Sequence, residues 1–163
     1  MPQKLRLMTA IYLISGGRWL LLERKGSRIV SNGSFTGTAG GHFEPEDQND
    51  PKACVLRELY EETGLTEEDI SDLSLRYICL RNKNGEIRQN HYFFAKLKDP
   101  AAEIHSKEGS LHWIEEGRLL DLPMPHSARA AVQHYLTAGR YTDQLYIGTA
   151  APEGAVFHAA EEF

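Results

Sequence analysis

Cysteine is scarce in this chain: Cys54 and Cys79 are the only two in 163 residues, and their spacing matches neither a zinc site nor a disulfide framework. A small cross-linked scaffold is excluded, and a reducing compartment is the expectation. Long apolar runs are missing as well, so the chain offers no membrane-spanning helix. Its start, Met1-Pro2-Gln3-Lys4, lacks the apolar stretch of a secretory signal. These features lead us to expect a cytoplasmic protein. Positive charge is outweighed, with 18 Lys and Arg against 23 Asp and Glu, for a net charge of −5. Proteins that bind nucleic-acid polymers usually display a basic surface, so that class of partner is not expected. A small polyanion remains open, provided metal ions bridge it to acidic side chains. There is no internal repeat. A length of 163 residues with 41% hydrophobic content suits one domain around a single core.

What the chain does contain is a series of strand and helix signals. Apolar stretches at 5–14 and 18–25 flank Ser15-Gly16-Gly17 and predict a hairpin. Residues 26–41 are rich in Gly, Ser and Thr, with short strand-like pieces around Phe35 and Thr38. Residues 73–82 and 86–97 alternate around Asn84-Gly85 as a second hairpin, densest at His91-Tyr92-Phe93-Phe94. A short strand at 111–114 precedes a turn at 116–120. An amphipathic helix at 127–136 follows Pro123-Met124-Pro125 and stops at Gly139. Strands interleaved with two helices predict an α/β fold, a mixed β-sheet covered on both faces.

The densest chemistry lies in Arg57-Glu58-Leu59-Tyr60-Glu61-Glu62-Thr63-Gly64-Leu65, downstream of Gly40-Gly41-His42-Phe43-Glu44-Pro45. Asp50-Pro51 supplies a capping side chain and a proline at the first helical position, and Gly64 supplies a stop. Helical spacing puts Glu58, Glu61 and Glu62 on one face, with Leu56, Leu59, Tyr60 and Thr63 opposite them as the core side. Three carboxylates within about one turn repel each other unless a cation neutralises them. Hard cations such as Mg²⁺ or Mn²⁺ are held by carboxylate and carbonyl oxygens, completed by waters and substrate phosphates. The glycine pair upstream lets backbone approach a ligand closely.

These residues resemble the box of the Nudix family, whose usual form is Gly, five residues, Glu, seven residues, then Arg-Glu-aliphatic-x-Glu-Glu-x-Gly-aliphatic. Counted from Gly41, the second half matches at Arg57, Glu58, Leu59, Glu61, Glu62, Gly64 and Leu65. The first half departs: Asp47 stands where Glu is usual, nine residues separate it from Arg57, and counting back from Arg57 reaches Asn49. A two-residue insertion explains this, with Asp47 or Glu46 in the place of the glutamate. The resemblance implies a Nudix fold, an α/β/α sandwich, over residues 1–140. Residues 141–163 form a C-terminal extension, read as a terminal hairpin, a strand pairing with a neighbouring subunit in a homodimer, or a frayed tail.

By the same resemblance, Glu58 and Glu62 are metal ligands and Glu61 is a ligand or a water-orienting base. A Gly41 carbonyl and Asp47 complete the metal set, and Arg57 orients a glutamate. Glu108, in the loop before Leu111-His112-Trp113, is a further catalytic or metal-binding candidate, with Glu103 as a rival. His126 falls in the region that reads the base in relatives acting on oxidised purine nucleotides, or else caps the last helix. Phe35 and Tyr12 either stack on a base or fill the core. Cys54 is read as a packed thiol.

The expected activity is Mg²⁺-dependent cleavage of a phosphoanhydride in a nucleoside triphosphate or another nucleoside diphosphate derivative, an oxidised purine nucleotide among them. Hydrolysis of ADP-ribose or nucleotide sugars, and nucleotide binding without hydrolysis, are the alternatives. Isomerisation of prenyl diphosphates finds no supporting Cys or Trp pattern.

Overall fold

Alternation of side chains along the first strand decides how the sheet must be covered. On β1 (Lys4–Ser15), Ile11 and Leu13 point to one side and Tyr12 to the other, and all three are buried. Both faces therefore need a partner. Helix α1 (Pro51–Thr63) supplies Val55 and Leu59 on the Ile11 side, and α2 (His126–Thr137) supplies Ala128, Ala131 and Val132 on the Tyr12 side. Each buried aliphatic side chain of these layers is worth roughly 1.5–3 kcal/mol. The result is the α/β/α sandwich expected from the sequence. The computed structural model describes residues 4–25 and 33–163; the portion 26–32 of the Gly/Ser/Thr-rich segment lies outside the described residues.

The remaining strands are β2 (Arg18–Arg24), β3 (Phe35–Thr36), β4 (Ala39–His42), β5 (Ile70–Lys83), β6 (Glu86–Leu97), β7 (Gly109–Glu115), β8 (Tyr146–Ala151) and β9 (Gly154–Ala159). Their order is β3-β2-β1-β6-β5-β8-β9, with β4 also on β1 and β7 also on β2. The sheet is mixed: β1 with β6 and β5 with β8 are parallel, and the other pairs are antiparallel. Both hairpin turns need left-handed backbone, which Gly16 (φ 55°) with Gly17 (φ 77°) and Asn84 (φ 53°) with Gly85 (φ 77°) provide.

One departure from a regular sheet creates the site. β1 pairs with β2 only over Leu13–Ser15, then pairs with β4 over Met8–Ile11. Between these stretches Thr38 bridges the ladder: its hydroxyl donates to the Leu20 carbonyl at 2.6 Å and accepts from the Leu13 N–H at 3.1 Å. β2 diverges toward β3 and β7, leaving an opening beside the glycines of β4.

The C-terminal residues form a hairpin, β8–β9, that adds to the β5 edge of this same sheet. Its connection is held by Arg76, whose guanidinium donates to the carbonyls of Gly139, Thr142 and Gln144 at 2.5, 2.6 and 3.1 Å. Tyr146 and Phe157 pack on Tyr77 and His134, extending the core beneath α2.

Candidate active site

Helix α1 begins where the sequence indicates. Asp50 accepts from the Ala53 N–H at 3.1 Å, Pro51 opens the first turn, and Gly64 (φ 79°) closes the helix, its N–H reaching the Tyr60 carbonyl at 2.8 Å. The faces differ from expectation. Tyr60 is 62% exposed, while the buried residues are Cys54, Val55, Leu59 and Glu62. At about 100° per residue, Glu58 and Glu62 fall on the same inward arc as Cys54, Val55 and Leu59, so the acidic and apolar groups share one face. This arrangement is tolerated because α1 crosses glycine backbone. A Cβ at Gly41 would lie 2.5 Å from the Glu58 carboxylate, and the Gly40 N–H donates to Glu62 Oε2 at 3.2 Å.

Arg57 is the hub of the segment. Its Nε and Nη2 donate to the two Asp47 oxygens at 3.2 and 2.9 Å, and Nη2 also reaches the His42 carbonyl at 3.1 Å. Nη1 is shared between Glu58 at 3.0 Å and Glu61 at 3.2 Å. Such bidentate, charge-assisted bonding fixes the orientation of the fork.

Asp47 therefore does not sit as the metal ligand expected of it. It lies in a single 3₁₀ turn, Pro45–Asp47, and is 4% exposed. One oxygen also accepts from the Glu44 N–H at 2.8 Å. Its hydrogen bonds to Arg57 hold the carboxyl below the usual carboxylate range, outweighing its burial. The inserted residues explain the broken spacing: Gln48 (φ 47°) and Asn49 (φ 64°) both adopt left-handed backbone and turn the chain from the 3₁₀ turn into α1. Glu46, the other stand-in considered, is exposed.

Glu58 and Glu62 open into a cavity of about 510 Å³ that also meets Gly40, Gly41, Glu108 and Arg24. Burial pushes the Glu62 carboxyl up to about 7, against the opposing hydrogen bond from Gly40, and burial raises Glu58 despite Arg57. Among the described residues these two desolvated carboxylates accept hydrogen bonds from one arginine and one backbone N–H, a set that fits a hard divalent cation. Among the described residues no three His, Cys, Asp or Glu side chains converge on one point. A cation here would be completed by backbone carbonyl, water and substrate oxygens, as Mg²⁺ sites commonly are. The Gly41 carbonyl borders this region and accepts a long 3.4 Å bond from the Thr9 hydroxyl.

The other expected residues divide. Glu108 joins the site: Lys107 N–H donates to the Glu62 carbonyl at 3.1 Å, which docks this loop on the end of α1, and Glu108 lies 3.9 Å from Arg24. Glu61 stays on the flank of α1, its side chain 55% exposed and turned to Arg57, outside the cavity lining. Glu103 is 87% exposed and pairs with His105. Tyr12 lines the cavity floor but is buried against Trp19 and Phe94, and burial raises its hydroxyl pKa. Phe35 packs against the α2-side core and His112 rather than lining the cavity. His126 turns away as well, its Nε2 against the Ala151 carbonyl of β8.

Several lining residues carry no linear signal. Arg81 and Lys83 on β5 and Arg88 and Asn90 on β6 form one wall. They meet because the β5–β6 register sets Arg81 opposite Arg88 and Cys79 opposite Asn90. Ser127, at the start of α2, is 3% exposed, and its hydroxyl finds no hydrogen-bond partner among the described residues. It lines the cavity beside Met124 and Pro125.

The fold that carries this split sheet and acidic helix is shared with known proteins. The NUDIX domain model matches residues 4–135, and the chain belongs to the Nudix hydrolase family. Among solved structures, it is similar to a mutator MutT protein from Bacillus halodurans at 24% identity and TM-score 0.65, with 97% of this chain and 99% of that one covered. A MutT protein from Methanosarcina mazei Go1 is 18% identical with TM-score 0.64, covering 83% and 95% of the two chains. The NUDIX domain of Shewanella oneidensis NrtR, complexed with ADP ribose, is 16% identical with TM-score 0.63, covering 87% and 90%. At these identities the likeness speaks for the fold. No curated protein matches the chain.

Proposed function

We propose that the chain hydrolyses a phosphoanhydride bond in a nucleoside triphosphate or another nucleoside diphosphate derivative, using Mg²⁺ or Mn²⁺. The observation that carries this reading is the pairing of half-buried Glu58 and buried Glu62 with the glycine backbone of β4 at the mouth of a nucleotide-sized cavity. Glu58, Glu62 and a carbonyl of the Gly40–Gly41 pair would hold the cation. When bound, it neutralises phosphate oxygens and makes a coordinated water more acidic.

The chain's own groups supply positioning and proton transfer. Arg57, anchored by Asp47, holds Glu58 in place and keeps Glu61 beside it. Glu108 is the carboxylate we assign to orient the attacking water and take its proton as the new P–O bond forms. The bridging P–O bond breaks, and its electron pair leaves with the departing phosphate. Arg24, beside Glu108 and lining the cavity, is placed to meet a phosphate oxygen. Ser127, with its unpartnered hydroxyl, is placed to contact the base or sugar. His126, Phe35 and Tyr12 are reassigned as packing residues.

Oxidised purine nucleotides, ADP-ribose and nucleotide sugars are all open substrates within this class. A NUDIX domain complexed with ADP ribose is among the similar structures, and nucleotide binding without hydrolysis is the reading to separate from turnover. Incubating the protein with a panel of these compounds, Mg²⁺ and Mn²⁺, and following phosphate, pyrophosphate and nucleotide products decides between them. Product release supports hydrolysis, whereas calorimetric binding with no product after long incubation supports a sensor.

We also propose that residues 1–140 form the catalytic unit and 141–163 an extension of its sheet. Free, buried Cys54 and Cys79 support a reducing, cytoplasmic setting. Among the described residues no helix is long and apolar enough to cross a membrane. The outer strand β9 leaves a backbone edge that a second copy of the chain would pair with in a homodimer. Sedimentation equilibrium tests that assembly, and a monomer at all concentrations argues against it.

A further inference from the structure

The cavity has two ends of opposite charge. Glu58, Glu62 and Glu108 lie at one end, and Arg81, Lys83 and Arg88 line the other. Beyond that end the basic residues continue. Lys4, Lys83 and Arg88 border an adjoining hollow of about 350 Å³ at the β5–β6 turn, and Arg6 stands opposite Arg88 in the β1–β6 register.

Among the described residues one carboxylate is ion-paired within this cluster. Glu86 accepts from Arg88 Nε at 2.9 Å and pairs with Arg6 Nε at 3.1 Å. Lys4, Arg6, Arg81, Lys83 and Arg88 thus gather around Glu86, which pairs with two of them, with Glu44 on the cavity wall as a second carboxylate, in a chain whose net charge is −5. Repulsion within such a group is a cost to the folded state that a polyanion relieves. Arg81 and Arg88 face each other directly across antiparallel strands, where like charges destabilise, which sharpens the same point.

The spacing fits a single ligand reaching both ends. From Gly41 on β4 to Arg88 on β6 the path crosses two strand spacings and three residues along the strand, about 14 Å between Cα atoms; to Arg81 on β5 it is roughly 17 Å. A nucleotide fits such a span, with its diphosphate at the acidic end and its organic part reaching toward the basic one.

We infer that the substrate is a nucleoside diphosphate derivative carrying a second phosphate on its organic part, which Arg81, Lys83 and Arg88 bind. The inference rests on the hydrolase reading for the orientation of the ligand, and it narrows the substrate class of the same cavity. Arginine suits the role because its fork meets phosphate with paired hydrogen bonds, and Lys83 at the turn adds a mobile point charge.

The test compares ligands matched except for one ribose phosphate: NADP against NAD, and adenosine 3′-phosphate 5′-diphosphate against ADP, each titrated calorimetrically into the full chain with Mg²⁺. Expected is a roughly ten- to hundredfold tighter Kd for the more phosphorylated member of each pair, the size of a charge-assisted contact set. Arg81→Ala and, at the exposed turn, Lys83→Gln should each bring the two members of a pair to within about threefold, and Arg81→Lys should restore part of the difference. Equal affinities in the native protein, or a preference that survives both Arg81→Ala and Lys83→Gln, would overturn the inference. Turnover is followed separately on the same ligands. Absence of products from all of them and from the wider nucleotide panel would remove the hydrolase reading, while the Kd ratio would still decide whether the basic end binds phosphate.

Discussion

Arg57 holds Asp47 by both carboxylate oxygens, at 3.2 and 2.9 Å, ten residues apart in the chain and across the turn made by Gln48 and Asn49. With its remaining nitrogen it holds Glu58 at 3.0 Å, so a buried carboxylate fixes an arginine that in turn fixes a carboxylate of the site. Removing one partner of a buried pair leaves the other charge uncompensated, at about 3 kcal/mol. Asp47→Asn should therefore lower the urea midpoint of unfolding and reduce turnover together, and Asp47→Glu should recover part of both. An Asp47→Asn protein as stable as the native one would show that the pair does not organise this region.

Gly41 tests the contact between β4 and α1. A methyl group there would meet the Glu58 carboxylate at 2.5 Å and push it aside, while the backbone has no positive φ that a side chain would strain. Gly41→Ala should keep the circular dichroism spectrum and lower kcat by ~100-fold, the scale expected when a catalytic group is displaced by about 1 Å. Unchanged turnover would place Glu58 outside the reaction.

Acid should weaken the fold in two separate windows. His91 is buried, its ring bonded to the Met8 carbonyl at 3.0 Å, and burial lowers its pKa from the ordinary 6.5. Its neutral form contributes stability above about 6.5, and that contribution is lost as pH falls below this value, because the unfolded chain takes up the proton first. Asp47, also depressed, contributes above its ordinary value of 3.8, and its share is lost as pH falls through its lower folded value. Urea unfolding at a series of pH values should show His91→Gln losing less stability than the native protein as pH falls through the upper window, and leaving the lower one intact. Identical curves for the two proteins would contradict this assignment.

The extension can be probed through Arg76, which donates to three carbonyls of the connection before β8. Arg76→Ala strands the buried Gly139 carbonyl, at a cost of about 1–3 kcal/mol, and frees those of Thr142 and Gln144 from their part-buried hydrogen bonds. Hydrogen exchange should then speed up in β8 and β9 well before β1 and β6. Uniform loss of protection would mean that the hairpin and the central sheet unfold as one unit.

Local signals in the chain carried much of this architecture. Gly16-Gly17 and Asn84-Gly85 marked both hairpins, and Asp50-Pro51 with Gly64 bounded α1, because turns and caps depend on neighbouring residues. The inward placement of Glu58 and Glu62 was not legible, since it depends on glycine backbone from a strand packed against the helix; Tyr60 was misplaced for the same reason. Asp47 could be found by counting but not assigned a partner, as two left-handed residues undo the usual spacing. Arg81, Arg88 and Ser127 are brought to the cavity by strand register and helix docking, neither of which a linear pattern records.

The central claim is that Glu58 and Glu62 hold the divalent cation on which phosphoanhydride cleavage depends. Its most direct test is Mn²⁺ binding by the native protein, Glu58→Gln and Glu62→Gln, followed by electron paramagnetic resonance beside turnover of the best substrate from the nucleotide panel. Loss of Mn²⁺ affinity in each variant, together with a fall in turnover of at least ~100-fold at unchanged fold, is the expected result. Native Mn²⁺ affinity and near-native turnover in both variants would contradict it.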